Sequence, residues 1–239
     1  MIKRPFLLVT FLLFSTIQPN QLTEWFHNDV ATFVKGSYNN FAAVGTCFAV
    51  STYVARDMFK ELKKKLEEKP QEHVNFLEIG AGTGPLSAVF EKELEQMVAR
   101  GDIKSYSLIL IELEPIFVET LKNRFDNNPN IEIVCQDFAE WQTPNKYDFI
   151  VSTLPWNSKF FSADAVNSMQ QRINELLDNK GIYTFVEYTL FGKLSRLLRG
   201  QSQKDKRFIV EDMIHRQGYN HKIVWRNVPP IHVYSLHKE

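Results

Sequence analysis

Hydrophobic and polar positions alternate along this chain in two distinct patterns. Short apolar runs predict strands, and longer stretches with apolar residues three or four positions apart predict helices with one buried face. From residue 74 onward the two patterns follow each other repeatedly, which is typical of βα units. We therefore predict a doubly wound α/β fold, with a mainly parallel seven-stranded sheet, helices on both faces and an antiparallel terminal strand.

The bounds of these elements can be predicted from the apolar runs and from the proline and glycine positions between them. The predicted strands are Val74 to Ile79, Ser107 to Leu113, Ile131 to Gln136, Tyr147 to Ser152, Gly181 to Tyr188, His221 to Asn227 and Val233 to His237. The predicted helices are Leu22 to Lys35, Thr52 to Leu66, Pro85 to Val98, Pro115 to Asp126, Ala163 to Leu177 and Phe208 to Gln217.

Three segments follow from this pattern. Residues 1–20 form an apolar leader in which Lys3 and Arg4 precede a short hydrophobic run. This run suits a signal-like leader or an interfacial membrane anchor, with a buried helix as the third possibility, and it is short for a bilayer span. Residues 21–70 hold the two N-terminal helices, and residues 71–239 form the α/β domain.

The composition gives no indication of a nucleic-acid partner, a disulfide framework or a metal site. The chain has 28 basic and 28 acidic residues, so no overall positive field favours nucleic acid. The two cysteines, Cys47 and Cys135, are far apart, which predicts neither a disulfide framework nor a metal site. Cys135 lies in an apolar strand pattern, where a thiol usually serves as a small hydrophobe.

A glycine-rich turn follows the first strand of the α/β domain. Gly80, Gly82 and Gly84 remove the side chains that would keep a nucleotide away from the backbone. A dinucleotide fingerprint would require a glycine at position 85, where this chain has Pro85. With Glu78 before it, the turn resembles the first motif of class I S-adenosylmethionine methyltransferases.

Acidic residues also end the next two strands. Glu112 is placed to accept hydrogen bonds from both hydroxyls of a ribose, and Asp137 falls where the methyltransferases place an acid against the adenine amine. Because the carboxyl ends of parallel strands meet at one edge of the sheet, these acids and the glycine turn are expected to line one crevice.

The fourth strand leads into Thr153, Leu154, Pro155 and Trp156, where a methyl acceptor should approach. Adenine-dimethylating enzymes of ribosomal RNA carry Asn-Leu-Pro-Tyr at this point, which grips the target amine and stacks the flipped base. Thr153 replaces that asparagine, which argues against base methylation. Trp156 is still able to stack on a base or to contact an ammonium through its ring.

The whole pattern resembles the bacterial phospholipid N-methyltransferase family, a distant relative of the ribosomal RNA adenine dimethyltransferases. The resemblance covers roughly residues 40 to 235 and rests on these segments: Ala43 to Gly45 with Ser51, Glu78 to Gly84, Ile111 to Leu113, Ser152 to Pro155, Phe185 to Tyr188 and Val224 to Pro230. This chain departs from the usual family pattern at Ala49, Val50 and Thr153.

The resemblance implies S-adenosyl-L-methionine as cofactor and the amine of a phospholipid such as phosphatidylethanolamine as acceptor. The cofactor-binding residues it implies are Glu78, Gly80, Ala81, Gly82, Gly84, Glu112, Leu113, Asp137, Phe138 and Ser152. The acceptor-binding residues are Thr153, Leu154, Pro155 and Trp156. Glu187 and Tyr188 are candidates to take the proton from the amine, with His27 a weaker one.

Charge in the C-terminal third is compatible with a lipid acceptor. Between Lys193 and Arg207 lie six basic residues and one acid, a local net charge of +5 that would attract an anionic membrane surface. RNA phosphates would be attracted equally well, and a solvated helical face would show the same run. Together with the apolar leader, this segment predicts a peripheral or N-terminally anchored protein on the cytoplasmic side of a membrane.

Two alternatives stay open. One is an RNA adenine dimethyltransferase, which would have to accommodate Thr153 and the lack of a separate basic helical domain after residue 200. The other is a membrane-associated protein that binds S-adenosylmethionine without turnover. No metal is needed for any of these activities.

Overall fold

A computed structural model of the chain describes residues 50–68, 70–156, 161–188, 212, 219–227 and 230–238. The predicted leader, the helix predicted from Leu22 to Lys35, the basic segment between Lys193 and Arg207 and nearly all of the helix predicted from Phe208 to Gln217 lie outside these residues. Within the described ranges, no helix combines the length and the apolar character needed to cross a bilayer.

Four helices and seven strands are described, close to the predicted bounds. The helices are α1 (Thr52–Glu68), α2 (Pro85–Arg100), α3 (Pro115–Phe125) and α4 (Ala163–Leu176). The strands are β1 (His73–Ile79), β2 (Ser105–Glu112), β3 (Ile131–Cys135), β4 (Tyr147–Ser152), β5 (Leu177–Tyr188), β6 (Tyr219–Val224) and β7 (Ile231–His237).

The seven strands form one sheet in the order β3-β2-β1-β4-β5-β7-β6. Strands β1 to β5 pair in parallel, and β7 is antiparallel to both β5 and β6. One core packs α1 and α2 on one face of the sheet, and a second core packs α4 on the other. The predicted doubly wound, mainly parallel sheet is confirmed.

Local chemistry explains where the helices begin and end. Pro115 occupies the first turn of α3, where its missing N–H costs no hydrogen bond. Ser162 caps α4 by accepting a hydrogen bond from the backbone N of Ala165 at 3.0 Å. Gly101, with φ 78°, ends α2 in the left-handed conformation that glycine adopts without strain.

Three local predictions differ from the structure. Strand β6 runs from Tyr219 to Val224 and not from His221 to Asn227, because the chain turns after Val224, where the backbone N of Asn227 donates to Val224 O at 3.3 Å. Strand β5 begins at Leu177 and not at Gly181, because Leu177 already pairs with Tyr147. The segment Asp178 to Lys180, whose Asp-Asn-Lys sequence predicts a turn before Gly181, interrupts the ladder only after that pair. The turn survives as an irregularity in which Lys180 has φ 63°. Cys135 is exposed and not a buried hydrophobe, because β3 is an edge strand.

The amino end of the sheet is closed by a buried carboxylate. Asp148, at the start of β4, accepts hydrogen bonds at Oδ1 from Lys65 Nζ (3.2 Å) and Gln71 Nε2 (2.7 Å). Its Oδ2 accepts from the backbone N of Asn75 at 3.0 Å. Through these bonds, strand β4 is joined to α1, to the loop after α1 and to β1. Asp148 therefore fixes the helix to the sheet, far from the glycine turn.

Candidate cofactor and acceptor site

The glycine turn between β1 and α2 adopts a backbone that only glycine tolerates easily. Gly80, Gly82 and Gly84 have φ values of 78°, 58° and 83°. A Cβ at Gly84 would lie 2.8 Å from both Leu121 Cδ2 and Phe125 Cε2, so α3 packs directly on the turn. A Cβ at Gly82 would meet nothing within 4 Å. The turn is therefore closed beneath Gly84 and open beside Gly82.

Glu112, the last residue of β2, faces this open position. Its Oε2 accepts a hydrogen bond from the backbone N of Gly82 at 2.8 Å, and its Oε1 accepts from the backbone N atoms of Leu113 and Glu114, each at 2.9 Å. Burial raises the pKa of the Glu112 carboxyl, and the three backbone bonds oppose that rise. Since a carboxylate offers about four lone-pair sites, one remains for a ligand hydroxyl.

Residues predicted to flank an adenine ring are divided between surface and core. Leu113 is 55% exposed beside Glu112, so it offers an apolar surface to a flat ring. Asp137 is also exposed, and its Oδ1 accepts from the backbone N of Ala139 at 2.9 Å. Phe138 is buried, with the guanidinium carbon of Arg172 5.7 Å from its ring centroid. Leu113 and Asp137 are thus the accessible members of this set.

Glu78 is buried beneath the turn, where it supports the start of α2. Its Oε2 accepts a hydrogen bond from Ser87 Oγ at 2.7 Å. Burial raises the pKa of Glu78 to about 8, the Ser87 bond opposes this, and the nearby charge of Glu112 adds to it. The Glu78 carboxyl is therefore mostly neutral at pH 7.

The segment Ser152 to Trp156, here called the acceptor loop, is attached to the glycine turn. Thr153 donates its hydroxyl to the carbonyl O of Gly80 at 2.7 Å, and its backbone N donates to Ile79 O at 3.2 Å. A Cβ at Gly80 would lie 3.1 Å from Leu154 Cδ2, so the loop side chain also packs against the turn. The segment predicted to bind the methyl donor and the segment predicted to bind the methyl acceptor are therefore in direct contact.

Trp156, the last residue of the acceptor loop, is only 3% exposed. Its ring centroid lies 6.1 Å from that of Phe161. The indole Nε1 is buried and makes no hydrogen bond with the described residues. In this conformation the ring is part of the core and does not present a face to an acceptor.

Glu187 and Tyr188 lie at the carboxyl end of β5, on the same edge of the sheet as the glycine turn. Their pairing partners on β7 are His232 and Ile231. Glu187 is partly buried and makes at least one contact with neighbouring residues. Among the described residues, no group of three or more acidic, histidine or cysteine side chains is arranged to hold a metal ion.

The turn between β6 and β7 reaches the same edge and was not predicted to contribute. Asn227 is fully buried, and its Oδ1 accepts from the backbone N of Ser51 at 2.8 Å. Trp225 is 73% exposed on this turn, and the guanidinium of Arg226 lies 5.3 Å from the ring centroid of Tyr53. In the sequence, this turn falls within Val224 to Pro230, one of the segments that carry the family resemblance.

The chemistry of this crevice fits a nucleoside with a flat base and a ribose. Open space beside Gly82, a spare acceptor position on Glu112 and the exposed Leu113 supply room, a hydroxyl partner and an apolar contact. The fold of the chain is similar to that of the plantazolicin methyltransferase BpumL, whose structure was solved in complex with SAH. That match has a TM-score of 0.55 and 12% identity over 92% of this chain and 94% of the other. The protein is a class I S-adenosylmethionine-dependent methyltransferase with S-adenosylmethionine as its cofactor.

Residues 43–177 match the family model described as ribosomal RNA adenine dimethylase, and the chain belongs to this family. It is 38% identical over 81 residues to "Probable ribosomal RNA small subunit methyltransferase A" of Methanosarcina barkeri, covering 34% of this chain and 24% of that protein. It is 25% identical over 136 residues to "Malonyl-[acyl-carrier protein] O-methyltransferase 1" of Ilyobacter polytropus, covering 54% and 46%. The chain thus spans less than half the length of these relatives.

Proposed function

We propose that this chain methylates an amine nitrogen, and that the acceptor best supported by its family is the exocyclic amine of adenine in RNA. The observation that best supports methyl transfer at the carboxyl edge of the sheet is the 2.7 Å hydrogen bond from Thr153 Oγ1 to Gly80 O. It ties the acceptor loop to the turn that faces the cofactor. The family model and the archaeal relative support adenine.

S-Adenosylmethionine supplies a methyl group on a positively charged sulfur, which an amine nitrogen can attack in line. The protein contributes position and a water-poor crevice, as methyl transfer requires no covalent enzyme intermediate. The buried Ser152 and Trp156 and the partly buried Leu154 keep water from the floor of this crevice. Glu187 remains the proposed proton acceptor at the edge of β5.

A second candidate acceptor is the primary amine of a phospholipid headgroup. The specific observation in its favour is that the two side chains needed to hold an adenine are engaged elsewhere: Thr153 donates to Gly80, and Trp156 is buried. The exposed Trp225 stands on the same edge of the sheet, where an interfacial tryptophan would meet a membrane. This candidate also places the protein at the cytoplasmic face of a membrane.

The two acceptors also differ in proton chemistry. An adenine amine is neutral at pH 7, whereas a lipid ammonium must lose a proton before its nitrogen can attack. A lipid acceptor should therefore give a rate that rises with pH as the ammonium is deprotonated. Adenine methylation should lack that dependence.

A paired assay tests the proposal. The purified chain is incubated with methyl-labelled S-adenosylmethionine and, in separate reactions, unmethylated small-subunit ribosomal RNA or vesicles of phosphatidylethanolamine. Label in adenine supports the first acceptor. Label in the lipid that Glu112→Ala lowers at limiting S-adenosylmethionine supports the second. Absence of label from both would overturn amine methylation of either class.

A further inference from the structure

A surface with two arginines and two aromatic side chains lies at the carboxyl edge of the sheet, beyond the acceptor loop. Tyr53 and Arg56 lie in the first turns of α1, and Trp225 and Arg226 lie on the turn after β6. Arg56, Trp225 and Arg226 are exposed, and Tyr53 is half-buried. These residues are here called the Arg–Trp surface.

The two arginines of this surface lack the acidic partners that neighbouring basic residues have. Arg56 and Arg226 make no ion pair with the described residues. By contrast, every lysine of α1 and β6 lies within 4.0 Å of an acidic side chain: Lys60, Lys63, Lys64, Lys65 and Lys222. The positive charge of the Arg–Trp surface is therefore available to an anionic ligand.

Both guanidinium groups are held against the ring of Tyr53. The Cζ atoms of Arg56 and Arg226 lie 5.9 Å and 5.3 Å from its ring centroid, within the range of a cation–π contact. The two cations are consequently less than about 12 Å apart. Because like charges at this separation repel each other, an anionic group that approaches both is stabilised.

A buried hydrogen bond fixes the two parts of the surface relative to each other. The Oδ1 of Asn227, which follows Arg226, accepts from the backbone N of Ser51, just before α1, at 2.8 Å. Asn227 is fully buried and Ser51 is 7% exposed, so water does not compete for this bond. The helix and the turn that carry the arginines are thus positioned before a ligand arrives, which lowers the entropy lost on binding.

The strand order places this surface on the acceptor side of the site. From β4, which leads into the acceptor loop, the order is β4-β5-β7-β6. Three spacings between neighbouring strands amount to about 14 Å. In phosphatidylethanolamine only an ethylene group separates the amine from the phosphate ester, so an amine in the acceptor loop cannot bring its own phosphate to the Arg–Trp surface. A polynucleotide carries a phosphate on every nucleotide and reaches both places.

Trp225 also favours RNA over a membrane as the partner. It is the only large apolar side chain that is strongly exposed on the described part of this surface, whereas a membrane-binding surface buries a broader apolar face. A single exposed indole beside two guanidinium groups suits an unpaired base next to its phosphates, because aromatic rings stack on any base.

We propose that the Arg–Trp surface binds RNA beside the target nucleotide, with Arg56 and Arg226 on phosphates and Trp225 stacked on a flanking base. This inference rests on the proposed methylation of adenine in RNA. Phosphate contacts of this kind set the position and orientation of a nucleic acid and carry no sequence preference by themselves.

The first test compares RNA binding by the full chain and by Arg56→Gln/Arg226→Gln, which removes both charges. The probe is a fluorescently labelled oligoadenylate, whose anisotropy is followed at several salt concentrations. Each phosphate contact with a single strand contributes roughly 0.7 to the slope of log Kd against log salt, so the slope should fall by about 1.4. We expect about tenfold weaker binding at about 0.1 M salt.

Arg100→Gln/Lys104→Gln is the matched control. It removes the same net charge from two exposed side chains at the amino end of the sheet, where each is paired with an acid. Its slope should equal that of the parent. The basic run between Lys193 and Arg207 is present in every variant, so the differences in slope report the exchanged residues alone.

Trp225→Ala tests the stacking contact separately from charge. Binding of the oligoadenylate should weaken about tenfold, as for loss of one base–aromatic stack, with the salt slope unchanged. All variants should bind S-adenosylhomocysteine like the parent, which checks that the fold and the glycine turn are intact.

The outcomes separate this surface from the proposed function. An unchanged slope in Arg56→Gln/Arg226→Gln, or an equal loss in the control, would overturn the RNA surface. So would weaker binding to vesicles of phosphatidylethanolamine and phosphatidylglycerol with RNA binding unchanged, which would assign the surface to a membrane. If RNA binds through these residues but no adenine is labelled, the proposed function fails and the surface stands. If adenine is labelled with equal kcat/KM for RNA in parent and variants, only the surface fails.

Discussion

The two ends of the parallel sheet use buried carboxylates in opposite ways. At the amino end, Asp148 accepts hydrogen bonds from Lys65, Gln71 and Asn75, two of them from side chains, and ties neighbouring elements together. At the carboxyl end, Glu112 accepts three backbone hydrogen bonds around an open turn and keeps capacity for another. Asp148 therefore stabilises the fold, whereas Glu112 is available to bind a ligand.

The same contrast extends to the residues around them. The carboxyl end also holds a buried Glu78 with a raised pKa, three glycines in the left-handed region and an indole N–H that makes no hydrogen bond with the described residues. Such departures from local rules are expected where a structure serves binding more than stability. Changes at the amino end should therefore cost folding free energy, and changes at the carboxyl end should cost affinity.

The largest expected effect is at the amino end. Asp148→Ala removes the buried carboxylate that pairs with the Lys65 ammonium and accepts from the backbone N of Asn75, and we expect the free energy of unfolding to fall by about 3 kcal/mol. Urea unfolding measures this. Asp102→Ala, which removes an exposed ion pair with Arg100, should change it by less than about 0.5 kcal/mol. A loss of S-adenosylhomocysteine affinity in folded Asp148→Ala would break the contrast between the two ends.

The next effect is at the carboxyl end. Glu112→Ala removes the acceptor for a ribose hydroxyl, and we expect the Kd for S-adenosylhomocysteine to rise about thirtyfold, roughly 2 kcal/mol. Titration calorimetry measures the change. Glu119→Ala, at an exposed acid on α3, serves as control and should bind normally. Unchanged affinity in Glu112→Ala would remove Glu112 from the cofactor site.

Much of the fold was predictable because the signals are local. Apolar runs predicted strands such as Tyr147–Ser152 to the residue, and Pro115 predicted the start of α3. The proximity of the glycine turn and Glu112 was predictable because strand ends in a parallel sheet share an edge. The start of β5 was not, since its ladder begins at Leu177 through pairing with a distant strand.

The remainder of the site depends on contacts distant in sequence. The spacing of Glu78 indicates a cofactor residue, but only packing shows that it is buried against Ser87. Trp156 could have been exposed or buried, and its position depends on Phe161 and the core around Tyr183. Asn227 reaches Ser51 across 176 positions of chain, a contact that no local pattern indicates.

The buried Glu78 at the carboxyl end should make the free energy of unfolding depend on pH. Its pKa of about 8 in the folded state lies above its ordinary value of 4.5, so the folded state binds the proton more tightly. That stabilisation is complete below pH 4.5 and is lost as pH rises through about 8, with a slope of at most about 1.4 kcal/mol per pH unit.

Glu78→Gln keeps an acceptor for Ser87 and removes the titration. Urea unfolding between pH 5 and pH 8.5 should show the parent losing stability relative to Glu78→Gln as pH rises. Parallel curves for the two proteins would mean that Glu78 does not carry a raised pKa in the folded state.

The smallest expected change in stability separates backbone strain from ligand binding. Gly82 and Gly101 have φ values of 58° and 78°, and a Cβ at either would meet nothing within 4 Å. Alanine at either position is therefore strained only by the left-handed backbone, and each variant should lose about 1 kcal/mol of unfolding free energy.

The two variants should differ in cofactor affinity. Gly101 ends α2, away from the carboxyl edge of the sheet, whereas Gly82 donates its backbone N–H to Glu112 in the open part of the turn. Calorimetry with S-adenosylhomocysteine should show about tenfold weaker binding for Gly82→Ala and normal binding for Gly101→Ala. Equal affinities would show that the space beside Gly82 is not where the cofactor lies, and that the open turn at this end of the sheet serves the fold alone.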